Sequence, residues 1–140
     1  MSTMEAKVTT SEFEQRVASL SLGGFGPGLP RKRRDRQILL KSVAVRLGHG
    51  RSYSEADIND ALQSWLDGMG PGARMDHVSL RRYLIDERYV TRDAAGATYE
   101  ICQSESLRSV FEPEVDSVDS FRVVSDARAD QDRRRRDRAA

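Results

Sequence analysis

Residues Asp76 to Tyr99 read DHVSLRRYLIDERYVTRDAAGATY, and within them the hydrophobic period changes once. Leu80 and Leu84 stand at helical spacing behind Asp76, a residue suited to an N-cap. From Tyr89 the pattern alternates, with Tyr89 and Thr91 to one side and Val90 and Arg92 to the other. Asp93-Ala94-Ala95-Gly96 supplies a turn, and Ala97 to Ile101 a returning strand. Helix, strand, turn, strand is the order of the second half of a winged helix-turn-helix. The stretch therefore predicts a small α+β, winged-helix-like domain of three helices and a C-terminal β-hairpin.

Stepping round this helix at about 100° per residue places Leu80 near Leu84 and Val78 near Ile85, with Arg81 in the arc between the two pairs. Arg81 is thus predicted at the core edge, where an arginine needs a carboxylate partner; Asp57, Asp60 and Asp86 are the candidates for a structural ion pair. Ser79, Arg82 and Asp86 fall on the exposed side, with Tyr83 on its border.

Upstream, Ser54 is a good N-cap, and Ile58, Ala61, Leu62, Trp65 and Leu66 form the clearest amphipathic stripe in the chain. Trp65, in line with four other apolar residues, reads as a packing anchor. Asp67 to Met75 makes a glycine-rich connection. Before this helix lies another, in which Leu40, Val43, Ala44 and Leu47 follow helical spacing. Its entry is very basic: Arg31, Lys32, Arg33, Arg34 and Arg36 crowd the end where the helix dipole disfavours positive charge. An anionic partner would relieve that cost, so these five are candidate phosphate contacts, with Arg92 on the wing and Arg82 as the groove-facing residue of the third helix.

The flanks are simpler. Residues 1–28 are predicted to hold an amphipathic helix over Thr10 to Leu20, started by a Ser11/Glu14 capping box, and a Gly23–Gly28 linker. That helix either folds back on the domain, as apolar stripes generally do, or docks on a partner protein. Residues 29–102 form the domain. Residues 103–140 are predicted to be mostly disordered, apart from a docking turn at Leu107, Val110 and Phe111, because an Asp/Arg-rich tail buries too little apolar surface to offset its chain entropy. The flanks are expected to add little to the core.

Composition narrows the function. A net charge of +1 excludes general polyelectrolyte attraction, so any nucleic-acid contact must come from local clusters. The single Cys102 excludes a disulfide framework, and without an evident activating base it reads as inert. No apolar run approaches the roughly 18 residues that span a bilayer, and no signal-peptide pattern opens the chain, which predicts a soluble cytoplasmic protein with no membrane partner. No phosphate loop or nucleophile elbow is present, and His49 and His77 lack metal-pair spacing. Neither catalysis nor a metal or other cofactor is expected.

Leu29-Pro30, Tyr53-Ser54-Glu55, Asn59, Leu62, Asp76, Leu80-Arg81-Arg82-Tyr83-Leu84-Ile85-Asp86, Tyr89, Arg92, Gly96 and Tyr99 occur in an order that resembles a bacterial family known as domain of unknown function number twenty eighty-seven. The resemblance covers about half the chain. Members stand alone or are joined to ArsR-like and GntR-like winged-helix regulators, which implies a role in transcription control. The expected function is therefore non-enzymatic and DNA-linked. The alternatives are a protein-interaction adaptor, docking through the N-terminal helix or the tail, and RNA or ribosome binding through the arginine runs.

Overall fold

A computed structural model describes residues 6–139. Among them the order is α1 (Thr10–Gly23), α2 (Arg33–Leu47), β1 (Ser52–Ser54), α3 (Glu55–Met69), α4 (His77–Asp86), β2 (Val90–Arg92), β3 (Thr98–Ile101), α5 (Glu105–Arg108), a 3-10 turn (Pro113–Ser117) and α6 (Ser120–Ala139). The architecture is α+β. The three strands form one antiparallel sheet in the order β1-β3-β2, with Tyr53 and Arg92 both opposite Tyr99.

Caps start the helices where short polar side chains meet orphan amides. Ser54 accepts from the Asp57 amide at 3.1 Å, and Asp76 accepts from the Ser79 amide at 2.7 Å. At α1 the cap is Thr9 rather than Ser11: its hydroxyl accepts from the Glu12 amide at 3.1 Å, since Thr9 to Glu12 offers the same capping-box spacing two residues earlier. Strand β1 has no counterpart in the sequence reading. Three residues are too few to show alternation, and their pairing partner is a strand over forty positions away.

Helix α2 is the centre of the molecule. Beyond the predicted stripe, Ile38, Leu39, Lys41 and Ser42 are buried as well, so the helix is enclosed on nearly every side. Its apolar side chains share one core with Ile58, Leu62, Trp65, Leu80, Leu84 and Ile101 of α3, α4 and the sheet. The flanks complete that core. Val8, Phe13 and Val17 before the domain, and Phe111, Val115 and Val124 after it, are buried. Phe13 and Phe111 meet edge to face, with ring centroids 6.3 Å apart. Thus α1 folds back on the body, and its apolar stripe is covered.

The expectation of a disordered tail is overturned: residues 120–139 are helical. Asp119 caps α6 by accepting from the Arg122 amide at 3.2 Å, and Phe121 and Val124 pack its first turns on the core. Arg128 reaches back to the Met69 carbonyl, and further along Asp130 lies 3.3 Å from Arg133 and 2.9 Å from Arg134, three and four residues on. Arginine and alanine are strong helix formers, so a docked first half propagates through the charged second half. The Gly23–Gly28 stretch is not a free linker either. Phe25 donates to the Gly72 carbonyl at 2.7 Å, accepts from Arg74 at 2.9 Å, and packs its ring 6.2 Å from that of Trp65.

Candidate nucleic-acid interface

Helix α4 turns Leu80 and Leu84 to the core and leaves Arg82 and Asp86 exposed. Val78 on this helix is 53% exposed, unusual for a large apolar side chain in this molecule. Arg81 lies between the two faces. Its Nη1 donates to Asn59 Oδ1 at 2.7 Å and lies 3.5 Å from Glu55 Oε1, and its guanidinium stands 5.3 Å from the centre of the Tyr99 ring. The partners come from α3, and they are Glu55 and Asn59 rather than Asp57, Asp60 or Asp86.

The wing is held by its own backbone. Asp93 accepts from the Ala97 amide at 2.8 Å and the Thr98 amide at 3.3 Å, and the Asp93 amide donates to the Thr98 carbonyl at 3.0 Å. The Thr98 and Ala97 amides, which favour the charged form, hold the Asp93 carboxyl below its ordinary range. This closed turn sets Arg92, whose guanidinium lies 5.6 Å from the centre of the same Tyr99 ring. Tyr99 is buried, and Arg81 from the helix and Arg92 from the strand both approach it.

A concavity of about 420 Å³ results, lined by Val78, Ser79, Arg81, Arg82, Ile85, Asp86 and Arg92. Three guanidinium groups face one carboxylate there. Such a surface suits an anion that also offers hydrogen-bond acceptors, because arginine presents its donors in a planar fork.

The basic entry to α2 divides. Arg31, Lys32 and Arg33 are exposed, with no ion pair among the described residues. Arg34 holds Glu12 in a two-point contact, Nη2 to Oε1 at 2.7 Å, and also donates to the Ala6 carbonyl at 3.1 Å. This bond keeps the Glu12 carboxyl below its usual range. Arg36 lies 3.3 Å from Glu87, and the intervening Asp35 accepts two bonds from Arg16, each at 3.0 Å. Carboxylates of this chain therefore supply part of the counter-charge that the crowded helix end demands.

Glu87, which ends α4, also accepts from Gln37 at 3.2 Å, so the α2 entry lies against the last turn of α4. Tyr89 donates its hydroxyl to Gln37, and burial pushes its pKa well above the ordinary tyrosine value. Sequence reasoning passed over Arg88, exposed between α4 and β2 with φ of 67°. A positive φ at a non-glycine residue has no signature in residue type. It also passed over Asn59 and Tyr99 as neighbours of the arginines; their only signal was that both recur in the pattern linking α3, α4 and the hairpin.

Among the described residues, no three His, Cys, Asp or Glu side chains are grouped to hold a metal ion, and no helix is long and apolar enough to cross a membrane. Comparison with curated proteins and with solved structures finds no match to the chain. Comparison with known families finds one described as "Uncharacterized protein conserved in bacteria" (DUF2087), matched over residues 28–101. That span runs from just before α2 to the end of β3 and covers more than half of the sequence, and the chain belongs to this bacterial family of uncharacterized conserved proteins.

Proposed function

We propose that the protein is a non-enzymatic, DNA-binding regulatory protein of the cytoplasm, in which α2 to β3 act as a winged-helix-like unit. Two features support the fold reading: the order helix, strand, helix, helix, strand, strand, and the pairing of β1 with β3 beside a two-stranded wing. Helix α4 then enters the major groove with Arg82 facing base edges, where a guanidinium pairs best with guanine. Arg92 on the wing and Arg31, Lys32 and Arg33 at the α2 entry contact phosphates and fix the register. Arg34 and Arg36 contribute less directly, since each already meets a carboxylate. The observation that carries the reading is the convergence of Arg82 and Arg92, from different elements, on one concavity braced by Arg81 and Tyr99.

The test is binding of the purified chain to mixed genomic DNA fragments at two salt concentrations, beside a variant with Arg31, Lys32 and Arg33 changed to Ser and a second with Arg82→Ala. Salt-sensitive binding is expected, weakened for all sequences in the first variant. In the second, sequence preference should relax by about 1–3 kcal/mol at the position read. Absence of binding at low salt refutes the proposal. The exposed Val78 on the same face favours one second reading, an adaptor that docks a protein there; it would give a complex that survives high salt.

A further inference from the structure

The second half of α6 has no work in the fold. Its first half is docked by Phe121, Val124 and Arg128, whereas residues 132–139 are exposed without interruption. Eight helical residues make an arm about 12 Å long. Five arginines, Arg133 to Arg136 and Arg138, stand on it against Asp132 and Asp137. Arg133 and Arg134 share Asp130 in exposed pairs, which hold side chains only weakly. Arg135, Arg136 and Arg138 have no ion pair among the described residues. Arg135 and Arg138, three residues apart, share one face of the helix, and Arg136 stands about 100° round from Arg135. A flat protein surface would meet Arg135 and Arg138 but leave Arg136 aside, whereas a row of charges that curves past the arm can meet all three.

The position of the arm is also set. Arg128 is bonded to the carbonyl of Met69, the last residue of α3, so the arm leaves the body beside the connection from α3 to α4. In the functional reading given above, that connection leads into the helix that occupies the groove. We propose that the arm is a second, sequence-independent contact to the same DNA, in which Arg135, Arg136 and Arg138 bind phosphates flanking the α4 site; the proposal rests on that reading. Phosphates follow one strand at about 3.4 Å along the axis, so the arm passes three to four of them, and the three uncommitted arginines, whose Cα atoms span about 4.5 Å of it, reach that row through their long side chains. Cations at a helix C-terminus already favour the helix, so the arm is preformed and pays little ordering entropy on contact.

The experiment measures affinity for a short labelled duplex of mixed sequence over a salt series. The wild-type chain is compared with a triple variant, Arg135→Gln, Arg136→Gln and Arg138→Gln, and with a triple Lys variant at the same positions. Glutamine keeps helix propensity, and thermal melts check that both variants fold. Each phosphate neutralised adds about 0.9 to the slope of log affinity against log salt, so the Gln variant should lose about 2–3 from that slope and the Lys variant should keep it. An unchanged slope in the Gln variant, with wild-type binding intact, overturns the arm and leaves the functional reading standing. Absence of wild-type duplex binding overturns both. Tighter binding of single-stranded RNA than of duplex by the wild type, lost in the Gln variant, overturns the DNA assignment.

Discussion

Gly68→Ala is a substitution whose sign reports whether α6 is docked. Gly68 lies in the last turn of α3, where alanine would ordinarily stabilise a helix by about 0.5–1 kcal/mol. A β-carbon there, however, would come 2.4 Å and 2.5 Å from two atoms of the Phe121 ring at the start of α6. Retreat of that ring would also displace the Arg46 guanidinium, which lies 4.0 Å from its centre. Overpacking of this kind costs about 1–3 kcal/mol, which exceeds the propensity gain. The net expectation is a loss of about 1–2 kcal/mol, or about 3–8 °C in melting temperature for a chain of this size. The assay is urea and thermal unfolding of four proteins: wild type, Gly68→Ala, Phe121→Ala and the double variant. In the Phe121→Ala background the obstruction is gone and Gly68→Ala should stabilise, giving a coupling of about 2 kcal/mol between two residues far apart in sequence. Stabilisation by Gly68→Ala in the wild-type background would mean that the ring does not rest on α3, and the docked α6 described here would be wrong.

Arg81→Ala should destabilise the fold by about 1–3 kcal/mol, because it removes a charged donor to Asn59 and a guanidinium beside Tyr99, whereas Arg82→Ala at an exposed position should change stability by less than about 0.5 kcal/mol. The reverse order in thermal melts would show that α4 is rotated from the orientation described. Glu12→Gln tests the α1 to α2 contact through pH. The Glu12 carboxyl titrates below its ordinary 4.5 because of Arg34, so its contribution is complete above 4.5 and is lost as pH falls through the depressed value. The variant should melt lower than wild type at neutral pH and converge with it in acid; a gap that stays constant down to the acid limit would rule the ion pair out as the cause.

What was legible in the sequence was local. Ser54 and Asp76 announce helix starts because a cap needs only its own next three residues. The α3 stripe and the wing turn are likewise written in contiguous residues. Arg81 was placed at the core edge by helical projection alone, yet its partners were missed because Glu55 and Asn59 face it only through the crossing of α3 and α4. The flanks were misjudged for a related reason. Val8, Val115 and Val124 are apolar residues too sparse to register as a pattern, and their weight comes from being buried in the common core. Net charge also concealed the division of the basic run, since which arginines meet Glu12 and Glu87 depends on tertiary contacts.

Enclosure of α2 on nearly every side separates two units usually assumed to coincide. The stretch shared with relatives ends at Ile101, but within it Lys41, 2% exposed, is satisfied by Gln103 at 2.8 Å and Asp116 at 2.8 Å, and Asp35 by Arg16. A fragment cut at the limits of similarity would keep both charges and lose all their partners, stranding an ammonium and a carboxylate on a sticky, half-stripped helix. The inherited module is thus shorter than the self-sufficient one. In this chain, the back of the helix is shielded by residues that lie outside the matched stretch on both sides.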